Sequence, residues 1–284
     1  MNNSESDNLF KPKQALDPTP QLYDDLVGDG MEKLAKATVA ELMPIDAGSV
    51  ILDLGCGTGA GTAAFVDAAG KDISVVGIDI NDDVLDMYKK KVGEKGWPAK
   101  AVKGDANKLD GIADSSFTHA IATAMVFVLP HDAVPAIREI YRTVKPGHFA
   151  ALSSWAYVPN MGAIRAASRE TRPAGTPELR GGMDQWEDAE FLKSKIEEGG
   201  FTNVRVVQRD VNVTTTNSLD RFATMLWSFI GGTTSVGWLE SDENNWDEAI
   251  EIIKTELSKT DGYKELDGGK LKLKFVANVA VATK

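Results

Sequence analysis

The sequence predicts an α/β protein built on a doubly wound, Rossmann-like sheet. Three observations support this prediction: short apolar runs alternate with amphipathic segments, a glycine-rich turn follows the first run, and 43% of the residues are hydrophobic. Buried strands separated by helices are typical of a parallel sheet that carries helices on both faces. A chain of 284 residues fits one such core with added segments.

Short apolar runs bounded by turn residues mark the strands. The first predicted strand, residues 49–54, leads into glycines, and the second, residues 73–79, ends in an aspartate. Further strands are predicted at 100–102, within 117–127, and at 148–155, 204–213 and 271–283. Apolar runs of this length between turns favour strands over helices.

Apolar residues that recur every three or four positions mark the helices. This spacing predicts helices at 31–43, 62–69, 81–92 and 131–144, and Asn81 is placed to cap the third. The segments 156–184 and 214–270 interrupt the alternation and contain helical stretches, so we expect helical lid insertions there. Residues 1–20 are polar and proline-containing, which predicts a flexible N-terminal arm before a single domain over residues 21–284.

Charge and cysteine content limit the partners and the compartment. Lys and Arg total 31 against 42 Asp and Glu, a net charge of −11 that repels phosphate backbones, so we expect no nucleic acid partner. Cys56 is the single cysteine, which agrees with a reducing compartment. The N-terminus lacks a signal-peptide pattern, and the longest apolar run, about 120–129, is too short to span a bilayer. We therefore expect a cytoplasmic protein without membrane contact.

A glycine-rich turn follows the first predicted strand. Gly55, Gly57 and Gly59 alternate with Cys56 and Thr58 before a helix. Glycines let the backbone turn tightly and approach a ligand, and the next helix turn offers N–H groups without intrahelical partners. The turn therefore predicts a site for a carboxylate or a phosphate at the C-terminal edge of the sheet. A purely structural turn is the alternative, although alternating glycines are costly in chain entropy.

Two aspartates follow the second and third predicted strands. Asp79 ends the second strand, where a carboxylate can accept hydrogen bonds from both hydroxyls of a ribose. Asp105 follows the third strand and can accept a hydrogen bond from an adenine amino group. The alternatives are that Asp79 caps the next helix, for which Asn81 is better placed, and that Asp105 is a plain turn residue.

Together these pieces resemble the class I S-adenosylmethionine-dependent methyltransferases. The matching segments are Asp53-Leu-Gly-Cys-Gly-Thr-Gly59, Gly77-Ile-Asp79 and Gly104-Asp105-Ala106, and the resemblance covers roughly residues 45–155. It implies a seven-stranded sheet whose last strand, residues 271–283, is antiparallel. It also implies S-adenosyl-L-methionine as the cofactor and S-adenosyl-L-homocysteine as the product.

The resemblance also implies which residues hold the cofactor. The glycine loop lies under its methionine part, which the residue matching Asp53 contacts, and the residue matching Asp79 holds the ribose. Asp105 and Ala106 match the adenine-binding turn, and Thr123 matches the end of strand four near the sulfonium. The expected cofactor-binding residues are Asp53, Gly55, Cys56, Gly57, Thr58, Gly59, Asp79, Ile80, Asp105, Ala106, Thr123 and, from its position on the N-terminal arm, Tyr23.

The identity of the acceptor is less directly encoded. Residues 225–234 and 275–280 are similar to fungal small-molecule methyltransferases, some of which methylate thiols of sulfur-containing metabolites. We expect transfer to an O, N or S atom of a small molecule, and the thiol of a secondary metabolite is one candidate. The aromatic residues that could line an apolar substrate pocket are Trp155, Trp227, Phe229 and Trp238. The alternative is that these side chains belong to the core.

No side chain is an obvious catalyst. The acceptor attacks the methyl group in line, and a dry pocket that positions both partners supplies most of the acceleration, so a base is optional. His131 follows strand four and is a candidate base, with helix capping as the alternative. We expect no metal and a monomer.

Two other functions remain open. The pattern Gly55-x-Gly57-x-x-Ala60 also fits a dinucleotide site, so an NAD(P)-dependent oxidoreductase is one alternative. Asp53 directly before the loop and the Gly-Asp-Ala turn favour the methyltransferase instead. A non-catalytic regulator on the same fold is the second alternative, because fold does not fix function.

Overall fold

The computed structural model describes residues 10–180 and 183–284. Within these ranges the strands are β1 (Val50–Leu54), β2 (Ser74–Asp79), β3 (Ala99–Lys103), β4 (Phe117–Thr123), β5 (Val144–Tyr157), β6 (Asn203–Thr214), β7 (Lys264–Glu265) and β8 (Leu271–Thr283). The α-helices are α1 (Pro20–Val27), α2 (Gly30–Ala40), α3 (Ala60–Ala69), α4 (Asp82–Lys95), α5 (Val134–Thr143), α6 (Pro159–Thr171), α7 (Ala189–Glu198), α8 (Leu219–Ile230), α9 (Glu240–Asn244) and α10 (Trp246–Ser258).

The strands form one sheet with the order β3-β2-β1-β4-β5-β8-β6, and β7 pairs with β8. The pairs β1–β2, β1–β4, β2–β3 and β4–β5 are parallel, whereas the C-terminal strands are antiparallel. The predicted doubly wound sheet is confirmed. The sheet has eight strands, one more than the seven that the resemblance implies. The additional strand is β7, whose two residues are exposed and have no apolar pattern that could have predicted it. The strand order reverses between β1 and β4, and ligands bind at such a reversal, outside the carboxyl ends of the strands.

The central strand β1 is held by apolar cores on both faces of the sheet. Leu52 and Leu54 belong to a core that includes Ile137 of α5, and Ile51 belongs to a second core with Phe65 of α3. Successive side chains of a strand point to opposite faces, so one apolar run supplies both cores. The buried strand thus gives the loop at its C-terminal end a fixed base.

The chain divides into two compact units. The first, which we call the sheet unit, comprises residues 31–156, 185–209 and 277–284. The second, which we call the helical unit, contains the described residues of 10–30, 157–184 and 210–276. Most of the two predicted insertions, 156–184 and 214–270, falls in the helical unit. Their action as a lid stays a prediction.

The predicted N-terminal arm is described from residue 10 onward, and residues 1–9 lie outside the described residues. In the helical unit, the Lys13 N–H donates to Glu243 Oε2 at 3.0 Å, and the Leu16 N–H donates to Ser228 Oγ at 3.1 Å. The described part of the arm is thus hydrogen-bonded to α8 and α9. None of the helices in the described ranges is long and apolar enough to cross a membrane.

Candidate active site

The glycine loop between β1 and α3 has a backbone that only glycine adopts readily. Gly55, Gly57 and Gly59 have φ values of 66°, 52° and 97°, in the left-handed region that L side chains avoid. A Cβ on Gly55 would lie 2.3 Å from Met125 Sδ, so packing alone requires a glycine there. A Cβ on Gly57 would meet nothing within 4 Å. The loop backbone at Gly57 therefore borders open space that a ligand can enter. Thr58, the remaining loop residue, is half-buried.

Hydrogen bonds fix this loop against the end of β2. The Cys56 N–H donates to Ile78 O at 3.0 Å, and the Gly57 N–H donates to Asp79 Oδ2 at 3.1 Å. The other oxygen of Asp79 accepts the Asn81 N–H at 3.0 Å. Asn81 in turn caps α4 through the Val84 N–H, as predicted. Asp79 therefore anchors the loop and lies beside it, at the carboxyl edge of the sheet.

The Asp53 side chain takes part in a buried hydrogen-bond network beside the glycine loop. Its side chain is 2% exposed. Asp53 Oδ2 accepts both the backbone N–H and the hydroxyl of Thr62, each at 2.7 Å. Because the Thr62 hydroxyl gives its proton to Asp53, the Tyr88 hydroxyl, 2.7 Å from Thr62 Oγ1, donates to Thr62. A Cβ on Gly61 would lie 2.6 Å from Asp53 Oδ1, so a glycine on α3 makes room for the carboxylate.

The Asp53 carboxyl is buried without a cation. Burial raises its pKa to about 7, the hydrogen bonds from Thr62 lower it, and the charge of Asp79 raises it further. Within the described ranges, no Lys, Arg or His forms an ion pair with Asp53. A buried carboxylate is costly unless a positive group compensates it. The position therefore suits the positive group of a ligand.

Cys56 contributes its backbone to the loop, and its side chain packs inside the protein. The thiol is buried with Leu85 and Tyr88. Burial, and then the charges of Asp53 and Asp79, raise the pKa of the Cys56 thiol far above its usual value. Since the thiolate is the nucleophilic form of cysteine, this environment disfavours a chemical role for the side chain.

A cavity of about 320 Å³ opens beyond β2 and β3, at the turn that contains Asp105. Its lining residues are Ile78, Val102, Lys103, Gly104, Asp105, Lys108, Leu109, Asp110 and Ile112. Asp105 is exposed, and its Oδ1 accepts the Asn107 N–H at 2.9 Å. Ala106 is half-buried in the same turn, and Ile80, at the end of β2, is 65% exposed. A cavity whose lining combines apolar side chains such as Ile78 and Val102 with the Asp105 carboxylate suits a planar ring that carries an amino group.

Thr123 ends β4, next to β1 in the sheet. The side chain is 8% exposed, and its Oγ1 has no hydrogen-bond partner in the described part of the chain. The next residue, Ala124, has a φ of 52°, and its N–H donates to Ser153 Oγ at 3.2 Å. Buried polar atoms without a partner are rare in proteins and are candidates for ligand contacts. Thr123 therefore lies where the strand order reverses, and its hydroxyl is available for a hydrogen bond to a ligand.

His131 lies in a strained turn after β4. His131, Asp132 and Ala133 have φ values of 52°, 50° and 58°, a left-handed conformation that costs free energy at each non-glycine residue. Asp132 is held in place because its Oδ1 accepts Gln185 Nε2 at 3.1 Å and its Oδ2 lies 3.3 Å from Lys195 Nζ. The His131 side chain is exposed. Its role as a base stays a prediction.

The predicted substrate-contacting aromatic residues lie in different units. Trp155 is half-buried on β5 of the sheet unit. Trp227 is completely buried in the helical unit, and its ring centroid lies 5.9 Å from that of Trp238. Phe229 lies on the same helix as Trp227, and its ring centroid is 5.5 Å from that of Tyr23 on α1. The burial of Trp227 favours a role in the core of the helical unit. Substrate contact by these residues, and cofactor contact by Tyr23, stay predictions.

Two residues that support Asp53 were missed by the sequence analysis. Thr62 lies in the first turn of α3, where its N–H is free of an intrahelical partner, and this position was the available signal. Tyr88 lies on α4, on a face that the helical spacing assigned to the core. Its hydroxyl contact with Thr62 depends on how α4 packs on the sheet, which the local sequence does not specify.

The middle of the chain matches a known protein family, and a larger part is similar to a known enzyme. Residues 51–147 match a family model described as a methyltransferase domain. A demethylmenaquinone methyltransferase of Staphylococcus aureus is 27% identical over 222 residues, which cover 72% of this chain and 89% of that protein. Residues 51–147 contain β1 except Val50, the glycine loop, Asp79, Asp105 and Thr123.

Solved structures show the same fold. A putative methyltransferase from Bacillus halodurans has a TM-score of 0.54 and 18% identity, with 88% of this chain and 98% of that chain covered. A phosphoethanolamine N-methyltransferase from Haemonchus contortus, solved with S-adenosylhomocysteine, also has a TM-score of 0.54, at 16% identity over 93% of this chain and 56% of that chain. Residues 51–147 therefore match a methyltransferase domain, and this match, together with the relatives, supports a class I S-adenosylmethionine-dependent methyltransferase.

Proposed function

We propose that this protein transfers the methyl group of S-adenosylmethionine to an O, N or S atom of a small molecule, and that Asp53, the glycine loop and Asp79 bind the cofactor. One observation carries the assignment of these residues. The Asp53 carboxyl is 2% exposed and has no ion-pair partner in the described ranges, and it lies beside a loop with open space at Gly57. A positive group would stabilise the ionised form of such a carboxyl, and the methionine part of the cofactor carries an ammonium.

Suitable residues are also present for the ribose and the adenine of the cofactor. Asp79 has a carboxylate fixed beside the loop by hydrogen bonds from Gly57 and Asn81, and its oxygens can accept further bonds from ribose hydroxyls. The cavity beside Asp105 offers Ile78 and Val102 as apolar walls for the adenine. The exposed Ile80 side chain and the Ala106 methyl group would extend this apolar surface.

When bound, the cofactor supplies a methyl group activated by a positively charged sulfur. The role of the chain is to hold the donor and the acceptor in line and to exclude water, which accounts for most of the acceleration in such reactions. Thr123 supports this part of the proposal, because its buried hydroxyl has no partner in the described ranges and lies at the end of β4. His131 is the candidate to accept a proton from an acceptor that needs a base.

The acceptor class is the finer part of the proposal. The Staphylococcus aureus relative is named for a quinone-type acceptor, and the resemblance of residues 225–234 and 275–280 favours a thiol. Both are small molecules, and the net charge of −11 supports a partner other than nucleic acid. To identify the acceptor atom, the full chain is incubated with methyl-labelled S-adenosylmethionine and a thiol, a phenol and an amine on the same aromatic scaffold. Label transferred to one class identifies it, and label transferred to none would contradict the proposed activity.

The test of the cofactor site uses two glycines with positive φ and open space at the Cβ position. Gly57→Ala and Gly268→Ala each place a Cβ on a residue with positive φ, 52° and 74°, and neither Cβ meets an atom within 4 Å. Both variants should therefore lose about 1 kcal/mol of unfolding free energy. We expect Gly57→Ala alone to weaken S-adenosylhomocysteine binding at least about tenfold, or about 1.4 kcal/mol, in calorimetry. Equal affinity in the two variants would exclude Gly57 from the cofactor site.

A further inference from the structure

The turn after β4 is held by a side chain of the neighbouring strand β5. The Ala124 N–H donates to Ser153 Oγ at 3.2 Å. Ser153 is completely buried, and it is the register partner of Thr123 in the parallel pair of β4 and β5. A side-chain oxygen of β5 therefore accepts the first N–H beyond the end of β4.

Ala124 has a backbone conformation that needs such support. Its φ is 52°, in the left-handed region, where a residue with a Cβ is disfavoured. A conformation of this kind persists only where the surrounding structure determines it. The hydrogen bond to Ser153 is a contact that does so, and it acts within the sheet unit. Ser153 therefore stabilises a turn that the local sequence disfavours.

The turn begins at Thr123, whose side chain lies on the same face of the sheet as that of Asp53. One core, which includes residues of α3, contains a residue from each of β1, β4 and β5, namely Ile51, Ile121 and Ala151. Side chains two positions apart along a strand point to the same face. Asp53, Thr123 and Ser153, each two positions further along its strand, therefore share the α3 face at the carboxyl edge. The Thr123 hydroxyl is buried there without a hydrogen-bond partner among the residues that the structure describes.

The turn also contacts the glycine loop. Met125 is 8% exposed, and a Cβ on Gly55 would lie 2.3 Å from Met125 Sδ, so the thioether packs directly against Gly55. The turn is thus held at two points, at Ala124 by β5 and at Met125 by the glycine loop. These two contacts fix where the chain leaves Thr123, and with it the place of the Thr123 hydroxyl relative to the loop.

We propose that Ser153 is a positioning residue of the cofactor site, which fixes Ala124 and thereby holds the Thr123 hydroxyl in place for a hydrogen bond to the bound cofactor. A buried polar atom without a partner is satisfied by such a bond. Affinity is gained when the group is held in its binding position in advance. Ser153 is completely buried and acts through the turn. This inference rests on the proposed function, because it concerns the same cofactor site.

A double-substitution cycle tests whether Ser153 acts through Thr123. Calorimetry measures the dissociation constant of S-adenosylhomocysteine for the full chain as wild type, Ser153→Ala, Thr123→Val and the double variant. We expect each single substitution to weaken binding about fivefold, the effect of one hydrogen bond. The double variant should bind as Thr123→Val does, to within about twofold, because residues that act as one unit are not additive. Additive losses, or unchanged affinity in Ser153→Ala, would overturn the inference.

The next residue of β5 supplies the matched control. Ser154 is also completely buried, and its Oγ donates to Trp186 O at 2.8 Å. Its side chain points to the opposite face of the sheet. Ser153→Ala and Ser154→Ala each remove one buried hydrogen bond, so both should lower the urea midpoint of unfolding. Only Ser153→Ala should weaken S-adenosylhomocysteine binding, and an equal loss of affinity in both variants would overturn the inference.

A second variant and the wild type complete the test. If Ser153→Ala does not fold, Ser153→Cys takes its place, because a thiol is a weaker acceptor than a hydroxyl. Its loss of affinity should be smaller and should also vanish in a Thr123→Val background. A wild-type chain that does not bind S-adenosylhomocysteine would contradict the proposed function and the inference together. A wild type that binds it, with equal affinity in the folded Ser153 variants, would overturn the inference alone.

Discussion

Asp53 and Asp242 are both buried aspartates, but in the described ranges only Asp242 is paired with a cation. Asp53, in the sheet unit, is 2% exposed and accepts hydrogen bonds from Thr62, without a cation in the described ranges. Asp242, in the helical unit, is 1% exposed and binds Arg172 through two nitrogens, at 2.7 and 2.9 Å. It also accepts the Leu239 N–H at 2.8 Å.

The comparison distinguishes a buried charge that an ion pair within the protein compensates from one that a bound ligand would compensate. Arg172 neutralises Asp242 and lies over the rings of Trp227 and Trp238, 5.3 and 5.9 Å from their centroids. Each charge of this pair compensates the other, and loss of one partner would leave the remaining charge buried alone. Asp53 is the incomplete case, because its pKa is raised to about 7 by burial and a cation would restore the ionised form. Burial alone therefore does not distinguish the two aspartates, whereas pairing does.

The largest expected effect follows from breaking the complete pair. Asp242→Asn leaves the Arg172 charge buried without a counterion, and loss of one partner of a buried pair costs about 3–5 kcal/mol. We expect a loss of this size in urea unfolding followed by tryptophan fluorescence. Asp220→Asn, which breaks an exposed ion pair with Lys254 on the same unit, should have no measurable effect. Equal effects of the two substitutions would contradict the structural role assigned to the buried pair.

Asp53→Asn should act in the opposite direction on stability. A carboxyl whose pKa is about 7 in the folded chain, against an ordinary value of 3.8, binds protons more strongly when folded, so stability falls as the pH rises from about 4 to 7. At pH 8, without cofactor, the amide variant should therefore be about 2–4 kcal/mol more stable than the wild type. The gain should vanish near pH 4. A variant less stable than the wild type at pH 8 would contradict a carboxyl buried without compensation.

The same carboxyl should make cofactor binding depend on pH. A cation on the ligand favours ionised Asp53, so below its pKa of about 7 a proton must leave before binding is complete. We expect S-adenosylhomocysteine affinity to fall by up to about tenfold per pH unit between pH 7 and 5.5, and to be constant above pH 8. Calorimetry in buffers of different ionisation enthalpy measures the released proton directly. Asp53→Asn should bind more weakly and without this pH dependence, and a pH-independent wild type would contradict the assignment.

The sequence predicted those parts of the site that depend on local backbone structure, namely the glycine turn and the residue at the end of a strand. Gly55, Gly57 and Gly59 were predictable because a tight turn after a strand favours glycine, and their positive φ values agree with that preference. Asp79 was predictable because it ends a strand beside the loop. The doubly wound sheet was predictable because apolar runs alternate with amphipathic helices. The cofactor-binding roles of these residues stay predictions that the Gly57→Ala and Asp53→Asn experiments address.

Contacts between distant segments could not be predicted in this way. Arg172 and Asp242 lie 70 positions apart, and no periodic pattern connects a loop residue with a short helix. Trp227 was a candidate for the lining of an apolar substrate pocket, and it is completely buried beside Trp238. The helical unit covers a wider part of α8 than its apolar stripe indicates, because Arg172 and Trp238 also pack there.

The smallest expected effect tests how Asp53 is held. Tyr88→Phe removes the hydroxyl that donates to Thr62 Oγ1, and loss of one such hydrogen bond costs about 1 kcal/mol. The ring itself should keep its place, because Gly77 lies so close that a Cβ there would be 2.5 Å from Tyr88 Cζ. We expect a drop of that size in unfolding free energy and a two- to threefold weaker affinity for S-adenosylhomocysteine. Tyr263→Phe, which removes an exposed hydroxyl bonded to Glu265, is the matched control. Because Thr62 alone contacts Asp53, unchanged affinity in Tyr88→Phe would mean that Thr62 holds the carboxylate without help from α4.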